Sequence, residues 1–471
     1  MQHKPIQNSL FSKDNIFMKL LYATLVSLLF TTTLFSQQKK LLQNFKYRID
    51  NFTAVNLNLQ GNVGEADGGI YHSDNNRFGN TYLGGSLLKI KSTDNNKLNL
   101  FVSMVGGTGV NKTNETNTYN KATGIAGASN CTADNTWYKK GAFFQLATQL
   151  SGNFSGIKNK NIFGQALEKK KNNFSNIAVT IGFGKGRLEN VTDMQNALWL
   201  YKVLLADKNL KRELTDDELN NLGKSITKGN NTRVLDFRRR IKFLLKTVDK
   251  FLQEKGVVNN TNIDYFNNLN DILFYAINNQ RLAGTEIFAR FNPQLLSENQ
   301  NNFTYINSKK DEGLFSAKIL NFKAGFQKYL PQSLIHQNNF GAAIVLNYLV
   351  NDNTTRGFLN SQLAYDIKFQ NKVRQAGVEL FFEHAIYPNT RTNINFAAKT
   401  SFGLQDAPDL IKRYAAVEVK ATTSYFISYR TRFFVNLGVN YINNKSILDR
   451  FYLTLPNRFL AVGNVGIDVN L

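Results

Sequence analysis

The sequence predicts an all-β antiparallel transmembrane β-barrel of about 14 strands with an inserted α-helical subdomain. Three observations lead to this prediction. Apolar and polar residues alternate along many segments, so each segment has one apolar and one polar face. Most of these segments have about 9 to 15 residues, which suits a tilted crossing of a bilayer. The chain also begins with an apolar leader of the kind that directs export.

Residues 1–36 are interpreted as a secretory signal peptide. Met18-Lys19 is a basic start, an apolar core follows, and Ser36 is a small residue at the expected cleavage point. A membrane anchor is the alternative, but the core of about 15 residues is short beside the roughly 20 that a helix needs to cross a bilayer. The residues before Met18 lack an apolar core, so Met18 is an alternative translation start.

Composition limits the classes of partner. The chain has 471 residues and a formal charge of +23, with 6 prolines against 32 glycines, which suits a sheet-rich protein. An exported chain meets little nucleic acid, so phosphorylated lipid headgroups or an anionic glycan are the expected counter-charge. The alternative is that the basic residues are spread over solvated loops. Cys131 is the single cysteine, so the chain cannot form an internal disulfide. It also lies far from the cleavage point, so it cannot be the lipidated first residue of a lipoprotein.

Residues 37–185 are predicted to form the first barrel strands. Phe45–Gln60 alternates with one register break, which indicates a β-bulge. Leu83–Ser92 and Leu98–Met104 are predicted to form a hairpin, and Gly106–Lys140 a long polar loop. Further strands are predicted at Ala142–Asn153 and Asn176–Gly184, and Gly156–Asn172 is interpreted as the loop between them.

Residues 186–283 change to a helical period and are predicted to form the helical insert. Capping boxes are predicted at Thr192 and at Thr215, each followed three residues later by Gln or Glu. The strongest helix is expected at Thr232–Gln253, and a last one at Asp264–Asn279. None of these is long or apolar enough to span a bilayer.

Residues 284–471 return to period two and complete the predicted barrel. Pro293–Lys310, Asn351–Arg356 and Pro388–Arg391 are interpreted as connections. Ala415–Leu471 has the cleanest alternation. The apolar stripes are Val417, Val419, Ala421, Thr423, Tyr425, Ile427, then Phe433, Val435, Leu437, Val439, Tyr441, and at the end Val465, Ile467, Val469, Leu471. Only helices and closed barrels satisfy every backbone polar group in lipid, which favours a barrel over a sandwich for such long strands.

The leader with its Leu-Phe-Ser-Gln junction, the strand set and the terminal strand resemble outer-membrane β-barrel proteins of the Bacteroidota. The segment Gly182–Asp193 is similar to one found in such proteins, without an assigned activity. The resemblance implies an outer-membrane location. The last residue of such barrels is typically aromatic, and Leu471 departs from that pattern.

No catalytic, cofactor-binding or metal-binding residue is predicted. Gly182–Arg187 lacks phosphate-loop spacing, and before Gly223-Lys224-Ser225 the first glycine of the motif is replaced by Glu218. His384 with Glu383 or Glu379 could serve a hydrolase, but a rim histidine is the preferred interpretation. Arg238–Arg240 is a candidate docking patch, with a solvated helix face as the alternative. The other histidines are His3, His72 and His336, the first in the leader and the last in a predicted loop; Asp134-Asn135 is too sparse for a calcium site.

The function expected from the sequence is that of an outer-membrane β-barrel, either a pore or a structural and interaction protein of the cell envelope, and not an enzyme. Its expected partners are outer-membrane lipid and lipopolysaccharide, with an envelope protein as a further candidate through the helical insert. A soluble secreted β-rich binding protein is the alternative. Counting five strands before the insert places it outside the cell, whereas the predicted loop lengths place it on the other side.

Overall fold

The computed structural model describes residues 36–67, 75–115, 118–161, 165–232, 237–275, 280–305, 308–407, 410–428, 431–443 and 458–469. The predicted signal peptide before Ser36 lies outside this part of the chain. The described residues form one antiparallel sheet of 14 strands and five helices.

The sheet is a continuous meander in which each strand pairs with the next along the chain. This confirms the predicted fold class and the number of strands. Within the described ranges, no ladder joins the last strand to the first. The strands are β1 Ile49–Asp67, β2 Asn75–Ser92, β3 Asn96–Glu115, β4 Thr118–Lys139, β5 Ala142–Lys160, β6 Ala166–Asn190, β7 Leu282–Thr304, β8 Lys309–Pro331, β9 His336–Leu359, β10 Gln362–Ile386, β11 Thr392–Ala407, β12 Leu410–Phe426, β13 Thr431–Asn443 and β14 Arg458–Val469.

Several strands are longer than predicted. Gly106–Lys140 was expected to be a loop, but β3 and β4 pair across nearly all of it. Gly156–Asn172 and Pro293–Lys310 likewise consist mostly of strand, and Asn351–Arg356 lies inside β9. Large apolar side chains are sparse in these segments, so the alternation there is weak. Pairing with a neighbouring strand, which a single sequence does not display, determines their structure. The register break predicted near the start of β1 is confirmed between Ile49 and Phe52.

The two faces of the sheet differ in composition and exposure. Paired residues share a face, so the pairing of Leu346 with Ala376 and of Ala376 with Leu404 continues one apolar row across three strands. Leu346 and Leu404 are 45% and 53% exposed. On the other face, Leu349 and Val373 are only 2% and 0% exposed. We call these the apolar face and the polar face; the burial indicates that the polar face is the inner side of a curved sheet.

The helices are α1 Ser36–Asn44, α2 Thr192–Ala206, α3 Asp216–Asn230, α4 Phe237–Glu254 and α5 Ile263–Tyr275. The last four follow β6 and precede β7. No described helix has both the length and the hydropathy that a membrane-spanning helix requires. The capping box at Thr215 is confirmed, with Glu218 completing it. The one predicted at Thr192 is wrong, because the helix begins at Thr192 itself and Asn190 accepts the hydrogen bond of the Thr192 backbone N–H.

Six strands precede the helical insert, not five. The insert therefore lies at the same end of the sheet as α1, where even-numbered strands end and odd-numbered strands begin. We call this the proximal end and the opposite one the distal end. The proximal connections that follow β2, β4, β8, β10 and β12 span residues 93–95, 140–141, 332–335, 387–391 and 427–430. The connection predicted at Pro388–Arg391 lies in this set.

Candidate functional site

The polar face carries hydrogen-bonded networks of carboxylates, amides and cations. Glu379 of β10 accepts from Lys323 at 2.5 Å and lies 3.6 Å from the ammonium of Lys399. Glu383, four residues further along the same face of β10, accepts hydrogen bonds from the side-chain amides of Asn339 at 2.8 Å and Asn395 at 2.6 Å. Glu383 is thus held between donors from the two neighbouring strands, β9 and β11, whereas Glu379 lies between a lysine of β11 and one of β8, two strands away.

A second network crosses β4, β5, β7 and β8. Arg290 donates to Gln145 at 2.9 Å and to Glu286 at 2.7 Å. Gln145 in turn donates to Asp134 at 3.0 Å, and Gln327 donates to Glu286. These polar groups satisfy one another's hydrogen bonds. The polar face is therefore hydrophilic here, with its positive and negative charges paired.

The helical insert has its own hydrophobic core, and α1 is part of it. Leu42, from α1, and Phe45, the residue after it, are 0% and 1% exposed and belong to one buried cluster with residues from all four helices of the insert. Leu334, from the β8–β9 connection, belongs to the same core. We call α1 to α5 together the helical domain. It is formed by two segments of chain that are far apart in sequence.

Arg281 fastens this domain to the sheet. Its side chain is 0% exposed. The guanidinium donates to the backbone carbonyls of Ser333 at 2.6 Å, Leu334 at 2.9 Å and His336 at 2.9 Å. It also donates to the Gln337 side chain at 2.7 Å. Burial lowers the pKa of Arg281 to about 10, which leaves it charged at neutral pH.

Other contacts spread the attachment over the proximal end. Asp271 of α5 forms an ion pair with Arg391 of the β10–β11 connection. At the other side, Arg48 pairs with Asp94 of the β2–β3 connection at 2.7 Å, and Tyr47 hydrogen bonds to Asn231 at the end of α3. The β2–β3 and β10–β11 connections are eight strands apart in the meander. The helical domain and the segment that leads into β1 therefore link distant parts of the proximal edge.

The residues considered for catalysis do not form a catalytic set. His384 and Glu383 are adjacent in β10 and so lie on opposite faces. His384 Nδ1 lies 2.6 Å from Asn338 Oδ1, and its ring stacks on that of His336 at 5.6 Å. Glu379 and Glu383 are occupied by the donors described above. No group of three or more possible metal ligands occurs in the described ranges.

The glycine-rich segments have structural explanations. Gly182–Arg187 lies inside β6 and pairs with both β5 and β7, so most of its backbone is engaged in ladders. Gly186 has φ +101°, and a Cβ there would lie 2.0 Å from the Thr285 carbonyl oxygen. Gly223 lies inside α3, where a Cβ would meet the Phe45 ring at 2.9 Å. Both positions require glycine for close packing.

Other sequence candidates are placed as follows. Cys131 is half-buried in β4, on the apolar face. Arg238–Arg240 lie in α4, but their side chains are outside the part of the structure that is described, as are His3 and His72. Sequence reasoning missed Arg281 altogether. An arginine just before a strand has no distinctive pattern, since its acceptors come from a turn about 50 residues later.

Asp193 is a second buried ionisable group that the sequence did not single out. It lies in the first turn of α2 and accepts from Thr227 Oγ1 at 2.7 Å and from Asn230 Nδ2 at 2.9 Å. Burial raises its pKa to about 6, although both hydrogen bonds act in the opposite direction. The native state therefore binds this proton more tightly than the unfolded chain does.

We expect the helical domain to become more stable as pH falls from 8 through 6 towards 4. Ionisation of Asp193 above its native pKa costs up to about 3 kcal/mol, which protonation removes. Thermal melts of the helical signal at 222 nm would measure this, with Asp193→Asn as the control that flattens the pH dependence. An equal pH dependence in that variant would assign the effect to other groups.

Comparisons with known proteins give low similarity throughout. No protein-family model and no curated protein sequence matches the chain. The chain is similar to the translocator domain of the autotransporter NalP from Neisseria meningitidis, with 8% identity, a TM-score of 0.24 and coverage of 97% of this chain and 98% of that one. It is also similar to the ferric yersiniabactin uptake receptor FyuA from Yersinia pestis, with 6% identity, a TM-score of 0.33 and coverage of 83% and 56%.

A further similar structure is the alcaligin outer membrane receptor FauA from Bordetella pertussis, with 8% identity, a TM-score of 0.29 and coverage of 90% and 58%. TM-scores this low carry no argument about function. The class of this chain rests on its own 14-stranded meander and its two faces, which define an all-β antiparallel transmembrane β-barrel with a helical insert.

Proposed function

We propose that this protein is an outer-membrane β-barrel whose polar face lines a passage for small polar solutes and whose helical domain closes the proximal end. The observation that supports this most is the attachment of one helical core to widely separated proximal connections. The Asn-, Gln- and ion-pair-rich polar face supplies a surface that water and polar solutes can wet.

We infer that the proximal end faces the periplasm. In barrels of this class, periplasmic turns are short and external connections are longer. At the distal end, β3 continues beyond Val110, the last apolar residue of its face, to Glu115, and β6 begins at Ala166, well before Ile177, its first exposed apolar residue, so the polar part of these hairpins is longer at that end. On this inference the helical domain lies in the periplasm.

The alternative of a soluble secreted protein is disfavoured by the apolar face. Soluble proteins rarely expose contiguous apolar patches above a few hundred Å². Here Leu57, Ile344 and Ile467, on strands at the edges and centre of the sheet, are 83%, 56% and 61% exposed. Lipid is the solvent that suits such a face.

An interaction role for the helical domain remains a second candidate. Ile263 and Phe266 of α5 are 78% and 44% exposed, and α4 presents Phe243, 37% exposed. An envelope protein is the kind of partner that would cover these side chains. We assign the protein no catalytic activity and no cofactor, and the Bacteroidota origin remains a prediction from the sequence resemblance.

Planar-bilayer conductance tests the closure. The wild-type protein is expected to give low, infrequent conductance, and Asp271→Arg, which places two arginines opposite each other at Arg391, is expected to increase the open time at least several-fold. Glu254→Arg is the matched control. It reverses an exposed acid in the same domain that pairs only with Lys250, 3.7 Å away, in the described structure.

Equal conductance in wild type and Asp271→Arg would contradict closure by the helical domain. Absence of conductance in every variant, with the barrel folded and inserted, would favour the structural and interaction role over the passage.

A further inference from the structure

Six lysines lie together on the apolar side of β3 to β6, at the distal end. They are Lys112, Lys121, Lys158, Lys160, Lys169 and Lys171, and we call them the lysine patch. Strand pairing places Lys112 opposite Lys121, Lys121 opposite Lys160, and Lys158 opposite Lys169. Directly opposed residues have Cβ atoms about 4.5–5.5 Å apart. Lys171 follows Lys169 two residues on, so it shares the same face.

The patch is destabilising for the fold by itself. Like charges directly opposite each other on a sheet cost stability. None of the six lysines has an ion pair with a described acid. Within the described ranges, strand alternation places no acid on this side of β3 to β5, nor on this side of β6 before Gly186. A binding partner with several negative charges would offset this repulsion.

The lysines begin where the apolar face ends. On β3 the last apolar residue of that face is Val110, 37% exposed, directly before Lys112 in the alternation. On β5, Phe154 is 48% exposed and only Gly156 separates it from Lys158 on this face. On β6, the stretch between Lys171 and Lys185 carries no charge on this face and is long enough for a tilted crossing, which needs roughly 9–11 residues. The patch therefore lies at the level of lipid headgroups, not beyond the membrane.

Lys170 gives the contrast within the same run. It lies between two patch residues on the opposite face and forms an ion pair with Glu168 at 2.9 Å. The chain thus neutralises the lysine that faces inward and leaves its two neighbours without an acid partner in the described structure.

We propose that the lysine patch binds the phosphate groups of a multiply phosphorylated glycolipid in the distal leaflet. The inference deepens the proposed function and rests on the outer-membrane location. Ammonium groups clustered on neighbouring strands suit phosphates that are also clustered, and the adjacent apolar face accommodates the acyl chains of the same molecule.

The test is lipid binding to the full-length protein in detergent, followed by native mass spectrometry. Lipid A with two phosphates, monophosphoryl lipid A and inorganic pyrophosphate are the probes. The variants are Lys158→Gln/Lys169→Gln/Lys171→Gln and, as the matched control, Lys170→Gln. We expect the triple variant to bind diphosphorylated lipid A at least tenfold more weakly, and Lys170→Gln to bind within twofold of wild type.

A further expected result separates binding from folding. Without lipid, the triple variant should melt at the same or a higher temperature than wild type, because charge repulsion is relieved. Equal weakening in Lys170→Gln, or no weakening in the triple variant, would overturn the proposal. Pyrophosphate binding as tight as that of the lipid would overturn the lipid as the source of phosphate. A heat-modifiable, folded protein that shows no preference for the phosphorylated lipid would reject this site while leaving the barrel assignment standing.

Discussion

Replacing Arg281 with alanine is expected to release the helical domain from the proximal end while leaving the sheet folded. The variant removes a donor from three backbone carbonyls and from the Gln337 side chain. The His336 and Leu334 carbonyls keep other donors, whereas the Ser333 carbonyl and Gln337 Oε1 lose the donor that the described structure shows. Each buried acceptor left without a donor costs about 1–3 kcal/mol. Two such acceptors together cost roughly 2–6 kcal/mol, enough to weaken or abolish a docking contact.

Limited proteolysis of the folded protein would measure this release. Sites in α2 to α5 should become accessible in Arg281→Ala, whereas the heat-modifiable gel mobility of the barrel should persist. Arg281→Lys keeps the charge but offers fewer donors in a different geometry, so partial protection is expected. Arg212→Ala is the control: it breaks an exposed ion pair with Glu218 inside the same domain, and we expect no change in cleavage. Unchanged cleavage in Arg281→Ala would contradict the anchoring role.

Leu437→Arg is expected to lower the stability of the inserted barrel by about 2–4 kcal/mol, the range for an arginine on the lipid face near the bilayer midplane. Leu437 lies in the middle of the apolar stripe of β13 and is 54% exposed. It pairs with Ala421 on one side and Gly463 on the other, both on the same apolar face.

Asn436→Arg is the matched control, one residue away on the polar face. Asn436 pairs with Thr422 and Asn464, so an arginine there joins other polar side chains and should change stability by less than about 1 kcal/mol. Urea-induced unfolding in lipid vesicles would compare the two variants. Equal destabilisation by Leu437→Arg and Asn436→Arg would mean that the apolar and polar faces have the same surroundings, which would contradict contact of the apolar face with lipid.

Local alternation predicted the strand segments that carry the apolar face. Successive residues there face lipid and water in turn, so apolar and polar residue types alternate. β12 and β13 follow their predicted stripes residue by residue. The distal extensions escaped prediction because both faces there are polar. In Lys169–Asn173, for example, both neighbours of Lys170 are lysines and every residue is hydrophilic, so only the ladders with β5 and β7 reveal a strand.

The helical domain was predictable as an insert but not as a domain that includes α1. The helical period and the Thr215 capping box are local signals, and both are present in the structure. The burial of Phe45 against Met194 and Gly223 joins residues about 150 to 180 positions apart, and no local pattern encodes that contact. The same holds for Arg281 and its turn. The contacts that attach the helical domain to the sheet join residues far apart in sequence. Sequence reasoning therefore predicted the sheet and the insert but not how the insert is attached to the proximal end.

Site-directed spin labelling along β12 tests most directly whether the apolar side of this sheet meets lipid. Single cysteines would be placed from Val417 to Ser424 in a Cys131→Ser background, and the labelled protein reconstituted in vesicles. Oxygen, which concentrates in lipid, should relax labels at 417, 419, 421 and 423, and a water-soluble nickel complex should relax those at 418, 420, 422 and 424. Equal access of the nickel complex to both sets, or no period of two, would contradict the barrel.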